Sequence, residues 1–234
     1  MKLSIIIPVY NEKATINQII DRVQAVQLPI PKEIIIVDDG STDGTSEIVK
    51  SREKDVAKVH LSRVNFGKGA GIRIGLTYVT GNMVIIQDAD LELDPNEYQH
   101  LIEPIIKGQT NVVYGSRFTQ RVAGLGFLAL LANKFLVLLT NILYGCKLTD
   151  METCYKVFRV DSIKKIKLRC MGFEFEPEVT AKLLRSGNKI YEVPISYKPR
   201  TRREGKKINW KDGIKAVYYL IKCRFQRLET IIVR

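Results

Sequence analysis

The chain has no CxxC pair, no low-complexity tract, no internal repeat and no uninterrupted apolar run long enough to cross a bilayer. Each absence removes a class. The four cysteines (Cys146, Cys154, Cys170, Cys223) stand far apart in 234 residues, so neither a disulfide framework nor a zinc site is expected. Reduced, mostly buried thiols of a cytosolic protein fit that spacing. The opening MKLSIIIPVYNE carries one lysine and a short apolar run ending at Pro8, which reads as a first strand rather than a secretory leader. Two phosphate-binding loops are missing as well. NFGKGAG (65–71) is glycine-rich, but its Lys68 precedes Gly69, so it lacks the order GxxxxGK[ST]; nor does it follow the first strand as GxGxxG. Net charge is almost absent from residues 1–181, which hold 22 Lys and Arg against 21 Asp and Glu.

The charge that is present lies at the end. Residues 182–234 hold 15 Lys and Arg against 4 Asp and Glu, which accounts for +11 of the total +12. A basic block of this kind suits an anionic partner such as a nucleic acid, a membrane surface or a phosphate-bearing substrate, or else is a solvated face. The rest of the composition, 45% hydrophobic and 26% charged, is that of an ordinary globular chain of one large domain or two small ones.

Continuous β-branched runs predict buried strands at 3–9 and 33–37, with shorter ones at 57–61, 82–87 and 111–114. Between them, Ile16, Ile19, Ile20, Val23 and Val26 share one face of a helix over 12–27, and further helices are expected over 44–54, from the NFGKGAG stretch to about 79, and from Pro95 to about 107. Strand alternating with helix through short loops predicts an α/β fold with a mostly parallel sheet, whose ligand crevice lies at the carboxyl ends of its strands. Polar clusters follow each of the five strands there: YNE, DDGS, NFGKG, DADLE and GSR.

Of these clusters, QDADLE carries the clearest chemistry. Asp88 and Asp90 stand one residue apart just past a buried strand and can turn to one cation if the backbone bends. Two hard oxygen donors suit Mg2+ or Mn2+, and Mg2+ completes its shell with phosphate oxygens and water, so the pair points to a diphosphate ligand. Glu92 is a candidate third oxygen. Asp38 and Asp39 can accept from ribose hydroxyls or a base N–H, Asp39 being the preferred contact, or else the DDGS stretch only caps the following helix through Ser41, Thr42 or Asp43. The glycines of 65–71 let a backbone approach a nucleotide while Lys68 adds charge, or they simply start a helix. Residues 124–145 are long enough to span a bilayer, but Asn133 and Lys134 sit at the middle and Thr140 and Asn141 one heptad on. A central lysine costs roughly 2.5–3.5 kcal/mol on insertion scales. A wide apolar face with a narrow polar stripe fits a helix lying in the membrane interface; the alternative is a core helix. Residues 213–225 read as a second amphipathic helix, basic and aromatic, after a strand-like stretch at 188–200.

In this order, PVYNE, DDGSTDGT, NFGKGAG, QDADLE and GSRF resemble the inverting nucleotide-sugar glycosyltransferases of family 2. The chain is most similar to the dolichol-phosphate mannose synthase-like branch, which makes polyprenyl-phosphate sugars. DMETCYKVFR (150–159), FEPEVTAKL (175–183) and VPISYKPRT (193–201) extend the resemblance over nearly the whole chain. It implies a GT-A fold, with a nucleotide-sugar and metal-binding half at 1–120 and an acceptor half at 121–234 ending in amphipathic interfacial helices. It implies that Pro8, Tyr10, Glu12 and Asp39 surround base and ribose. Asp88 and Asp90, with Ala89 between them, would face the nucleotide sugar and hold the metal, with Glu92 nearby in a place where family members often have glutamine. Arg117 would hold the acceptor phosphate, and Arg200 and Arg202 would surround the phosphates. A further arginine common in mannose synthases has no clear match in 127–137, where Lys134 is the nearest cation.

The reaction implied is transfer of a hexose from GDP-mannose or a UDP-hexose such as UDP-glucose to dolichyl or undecaprenyl phosphate. A phosphate monoester is already ionised near pH 7, its second pKa being about 6, and needs no strong base. Asp90 and Arg117 would act on the reacting groups, and Glu176 is the candidate if a base exists; Glu176 and Glu178 otherwise belong to a helix N-terminus beside Pro177. With no terminal membrane span, the expected contact is peripheral, on the cytoplasmic membrane face. It would be made by 124–145, the cations Arg200, Arg202, Arg203, Lys206 and Lys207, and by Trp210, Tyr218 and Tyr219. A non-lipid glycan is the other acceptor to weigh. Two rivals stand outside this reading. A sugar nucleotidyltransferase would want an arginine-containing glycine loop after strand one, where PVYNE stands. A nucleic-acid-binding module would leave the five polar strand ends unexplained, so no nucleic acid is expected as a partner.

Overall fold

Ile5, Ile7, Ile34, Ile36, Met83 and Ile85 point to one side of a sheet, and Ile6, Ile35, Val37, Val84 and Ile86 to the other, all within 5% of fully buried. A strand apolar on both faces must be covered on both faces. The computed structural model, which describes residues 1–118, 126–200, 207 and 210–229, shows how. The chain runs through β1 (Leu3–Val9), α1 (Ile16–Ala25), β2 (Lys32–Asp38), α2 (Thr45–Ser51), β3 (Lys58–Leu61), α3 (Lys68–Tyr78), β4 (Met83–Ile86) and α4 (Tyr98–Ile106). It continues through β5 (Val112–Ser116), α5 (Phe127–Tyr144), β6 (Lys156–Arg159), α6 (Val160–Lys164), α7 (Phe175–Arg185), β7 (Ile190–Pro194) and α8 (Trp210–Phe225). On the first face α1 and α4 bury Ile16, Ile19, Ile20, Val23, Leu101, Ile102 and Ile105; on the second, α3 and α7 bury Ile72, Phe175, Val179 and Leu183. Each such side chain contributes about 1.5–3 kcal/mol relative to exposure. Gly75 of α3 lies over Ile6, whose Cγ2 would stand 2.5 Å from an added Cβ, so the helix can approach β1 only without a side chain there.

The strand order is β3-β2-β1-β4-β6-β5-β7, and the α/β expectation of a mostly parallel sheet holds. β6 is the exception: it runs antiparallel to both β4 and β5, with Ile85 opposite Val157 and Tyr114 opposite Lys156. It therefore enters the sheet at the edge where its neighbours leave it. The sequence pattern does not reveal β6. Strands β6 and β7, both beyond residue 121, pair with β4 and β5 of the first half.

At the opposite edge a polar knot closes the sheet. Glu33 accepts hydrogen bonds from Ser4, from the Thr80 amide and hydroxyl and from the Gly81 amide, and it pairs with Lys2. Burial works against its charge, but Lys2 and these donors outweigh that and hold its carboxyl down at about 2. Because the folded value lies below the ordinary 4.5, this stability is full above pH 4.5 and is lost as pH falls toward 2. Glu33→Gln is expected to flatten that acid limb, measured by denaturant unfolding at pH 7, 4 and 2.5.

Helix α5 turns part of its polar stripe inward. Thr140 is fully buried, with its hydroxyl on the Leu136 carbonyl, and Asn141 binds both backbone groups of Leu148, so half of the polar stripe faces the protein. Leu128, Leu131, Phe135, Leu138 and Ile142 face outward. The helix ends at Gly145, whose φ of 64° is the left-handed cap that glycine makes cheap. Helix α8 packs on α5 and α7 through Ala216, Leu220 and Cys223, and exposes Trp210, Ile214, Tyr218, Ile221 and Phe225. Among the described residues no helix is long and apolar enough to cross a membrane.

Candidate functional site

The crevice begins where β4 ends. Gln87 is fully buried; its Oε1 accepts from the hydroxyls of Tyr98 and Tyr155 at 2.6 and 2.7 Å, and its Nε2 donates to the Asp88 carbonyl at 2.9 Å. This fixes the backbone from which the acids project. Leu91 has φ +62°, a left-handed conformation that costs a leucine energy and that recurs where function requires a bend. The bend brings the Glu92 amide to Asp90 Oδ1 at 3.1 Å.

The three acids face different partners. Lys68 Nζ lies 2.8 and 2.9 Å from the two Asp88 oxygens. Arg200 Nη2 lies 2.9 Å from Asp90 Oδ2. Glu92 accepts from the Tyr197 hydroxyl at 2.9 Å and from the Arg200 amide at 2.7 Å. So Glu92, the candidate third metal oxygen, instead fastens segment 197–200 in this structure. Among the described residues no three Asp, Glu, His or Cys side chains converge on one metal-sized point. Burial raises the cost of charge on both aspartates. Lys68 outweighs it at Asp88 and holds that carboxyl below the usual range, whereas burial, then Asp88 and Glu92, push Asp90 up to about 7 against the pull of Arg200.

On the β1 and β2 side, Glu12 pairs with Arg200 at 3.0 Å and with Lys207 at 2.8 Å. Lys207 also binds the Tyr10 carbonyl, with its ammonium 5.6 Å from the ring centre of Tyr10. Asn11, between them, has φ +49° and ties to the DDGS loop through the Ser41 hydroxyl and the Thr42 amide. Pro8 and Ala89 are buried and do not join these groups; Pro8 packs on Gly71 of α3, and Ala89 in the core below α4. Asp39, expected at the ribose, accepts from the amides of Phe66 and Gly67 at 3.0 and 2.6 Å, and burial raises its pKa. It holds the glycine loop in place. The helix-start reading of that loop is the one observed: α3 opens at Lys68, and its first amides donate to the carbonyls of Gly172 and Met171. Gly67, at φ +102°, lies so close to Met171 that an added Cβ would stand 2.4 Å from its carbonyl oxygen. Arg202 lies outside the described residues, as do Arg203 and Lys206.

The other side of the crevice, expected to meet the acceptor, is built by β5 and by the loop that enters β6. Arg117 is buried; its Nε and Nη2 meet the two oxygens of Asp150 at 2.7 and 2.8 Å, and its amide donates to the same carboxylate. Asp150 raises the Arg117 pKa above its ordinary value although burial opposes this. The guanidinium lies 5.1 Å from the ring centre of Tyr197, the residue bound to Glu92, so it is joined to the acid cluster through one side chain. Glu176 is not a free base. It pairs with the buried Lys156 at 2.5 Å and lies 3.3 Å from Lys68. Glu178 caps the amides of Arg169 and Cys170 and pairs with Lys182, a structural role. Asp150, Lys156 and Tyr197 are site residues that composition and spacing did not single out, although all three lie in stretches that carry the resemblance. A cavity of about 470 Å³ lined by His100, Glu103, Lys107 and Tyr191 lies at the β7 edge and holds none of these groups.

Carboxylates (Glu12, Asp88, Asp90, Glu92, Asp150 and Glu176) and cations (Lys68, Lys156, Lys207, Arg117 and Arg200) thus meet at one sheet edge, beside the switch between β1 and β4. The sequence model of glycosyl transferase family 2 matches residues 4–167. The chain belongs to this family. Among curated relatives, the family 2 chain is 28% identical over 205 residues to dodecaprenyl-phosphate galacturonate synthase of Rhizobium johnstonii, covering 86% of this chain and 60% of that protein. It is 29% identical over 214 residues to dolichol-phosphate mannosyltransferase of Pyrococcus furiosus, covering 88% and 59%. The chain therefore spans about three-fifths of the length of these relatives. Its fold is that of glucosyl-3-phosphoglycerate synthase from Mycobacterium tuberculosis, solved with Mn2+, UDP and phosphoglyceric acid: TM-score 0.73 at 20% identity, over 96% of this chain and 78% of that one. The same enzyme has been solved with Mg2+ and UDP (TM-score 0.70, 21% identity, over 95% and 79%). The expected α/β fold of a family 2 glycosyltransferase is borne out.

Proposed function

We propose that this chain transfers a hexose, with inversion, from a nucleotide sugar to a polyprenyl phosphate, with Mg2+ or Mn2+ at the donor diphosphate. GDP-mannose and UDP-hexoses are the donors in view, and the place is the cytoplasmic face of a membrane. The observation that carries the reading is the acid pair at the mouth of β4, flanked by Lys68 and Arg200 and linked through Tyr197 to Arg117. The residues fit a hard divalent ion: Asp88 and Asp90 offer oxygen donors one residue apart, and both are held by cations whose place such an ion and its phosphates can take. When bound, the ion would neutralise charge on the departing nucleoside diphosphate.

This chain's own residues do the remaining work. Lys68 and Arg200 supply positive charge beside the diphosphate. Asp150 fixes the Arg117 guanidinium to receive the acceptor phosphate. That phosphate is a nucleophile without deprotonation, which agrees with a Glu176 already committed to two lysines. The outward stripes of α5 and α8, ten large apolar side chains at helical spacing, supply a surface for the lipid, with Lys134, Lys211 and Lys222 for anionic headgroups.

Transfer from a panel of nucleotide sugars, with and without a short polyprenyl phosphate, tests the reading. Efficient transfer to a soluble glycan and none to the lipid phosphate would overturn the acceptor assignment. Binding of an oligonucleotide, with no protection by UDP or GDP, would overturn the enzyme itself. For the membrane, Phe135→Asp with Leu138→Asp is expected to lower binding to anionic vesicles at least tenfold, since each buried apolar side chain contributes roughly 1.5–3 kcal/mol. Flotation with UDP or GDP binding as the folding control checks this.

A further inference from the structure

Glu152 is the anomalous acid of this site. It stands in the loop that enters β6, between Asp150 and Lys156. The side chain is partly buried, and its Oε1, fully enclosed, has no hydrogen-bond partner among the described residues. The groups that act on it electrostatically are Glu176, Lys156, Arg117 and Asp150, two anions and two cations. Both cations are already engaged, Arg117 by Asp150 and Lys156 by Glu176 and two carbonyls. An enclosed carboxyl oxygen without a donor costs free energy, and such atoms require an explanation. Burial above all, then Glu176, pushes this one up to about 7.

Its place suggests what should supply the donors. On one side runs the chain Asp88–Lys68–Glu176–Lys156, which begins at the donor diphosphate. On the other stands the Arg117–Asp150 pair assigned to the acceptor phosphate. Between two phosphates in a glycosyl transfer lies the sugar, an uncharged ring rich in O–H donors. We propose that Glu152 is a specificity-determining residue that accepts hydrogen bonds from hydroxyls of the transferred sugar and favours a neutral hexose over a sugar acid. The inference rests on the function proposed above and names a further residue for it. A base role does not suit Glu152, because the acceptor is already ionised and a second anion beside it would repel it. The charge of the sugar is a meaningful division here: the two curated relatives are named for galacturonate and for mannose.

The test needs only donor binding. Calorimetry with Mn2+ or Mg2+ compares UDP with UDP-glucose and UDP-glucuronate, and GDP with GDP-mannose, on the wild-type chain and on Glu152→Gln. The near-isosteric glutamine, with a melting curve as control, separates lost recognition from lost folding. The expected result is unchanged affinity for UDP or GDP, roughly 10–100-fold weaker binding of the neutral sugar nucleotide, and a smaller preference for it over the glucuronate. If the variant keeps the wild-type difference between nucleotide sugar and nucleotide, and its discrimination against the glucuronate, Glu152 does not read the sugar. If it weakens nucleotide and nucleotide sugar equally, its role is structural and the proposal also fails. If the wild type binds neither UDP nor GDP, the proposed function fails and this inference with it.

Discussion

Asp90→Asn is expected to lower sugar transfer by roughly 10²–10³-fold or more, the scale of removing one group aimed at developing charge, while the ligand-free protein melts no lower than the wild type at neutral pH. The two halves follow from one environment. Asp90 is the acid whose charge the site accommodates worst, pushed up to about 7 by burial and by Asp88 and Glu92. An acid whose folded value lies above its ordinary 3.8 takes stability away, fully above pH 7 and progressively less as pH falls below that. Asparagine removes that cost, and Arg200 keeps Glu12 and Glu92 as partners. What asparagine lacks is the second negative charge for a divalent ion. Melting curves with and without UDP or GDP and Mn2+ or Mg2+, beside initial rates, check both halves. If the variant keeps full metal-dependent protection, Asp90 is not the ion's ligand. Between pH 8 and 5 the ligand-free wild type is expected to gain on the variant.

The largest loss of stability is expected from Asp150→Asn. The Arg117 guanidinium would remain buried with its counter-charge gone, and breaking such a pair from one side costs about 3–5 kcal/mol. For a chain of this size each kcal/mol shifts the melting temperature by about 2–4 °C, so a fall of roughly 6–20 °C is expected. Replacing both partners, Arg117→Met with Asp150→Leu, should cost clearly less than the single change, because no charge is stranded. A double-mutant cycle by denaturant unfolding measures the difference. Loss of under about 1 kcal/mol in Asp150→Asn would show that water or another side chain already screens Arg117. In the same variant the KM for the phosphate acceptor should rise while nucleotide affinity stays, since the guanidinium loses its orientation and not its charge.

The parts of this site that were legible in the sequence lie at the carboxyl ends of parallel strands. β1, β2 and β4 announce themselves as β-branched runs, and the rule of the carboxyl edge then collects Glu12, Lys68, Asp88, Asp90 and Arg117. β6 escapes on both counts. Lys156–Arg159 is four residues long with a cation at each end, and its antiparallel course delivers functional groups from its amino end. Asp150 and Lys156 reach Arg117 and Glu176 that way. The bonds of Asp39 and Glu92 within the protein were illegible for another reason. A carboxylate at a strand end has the same sequence signature whether it meets a ligand or the amides of a loop 27 residues on. For α5 the spacing marked the polar stripe, but a stripe marks a distinct side of a helix without saying whether that side faces water or buried backbone, and Thr140 and Asn141 meet backbone.

Among the described residues the buried cluster at helices α5 and α8 is small, Leu136, Met151, Ala216 and Leu220, whereas the two clusters on the sheet each bury well over a dozen apolar side chains. Local opening free energy follows buried contact density. The layer proposed to meet the lipid is thus expected to open before the sheet does, and the crevice beneath it would keep its geometry while that layer rearranges around the long and flexible acceptor proposed above.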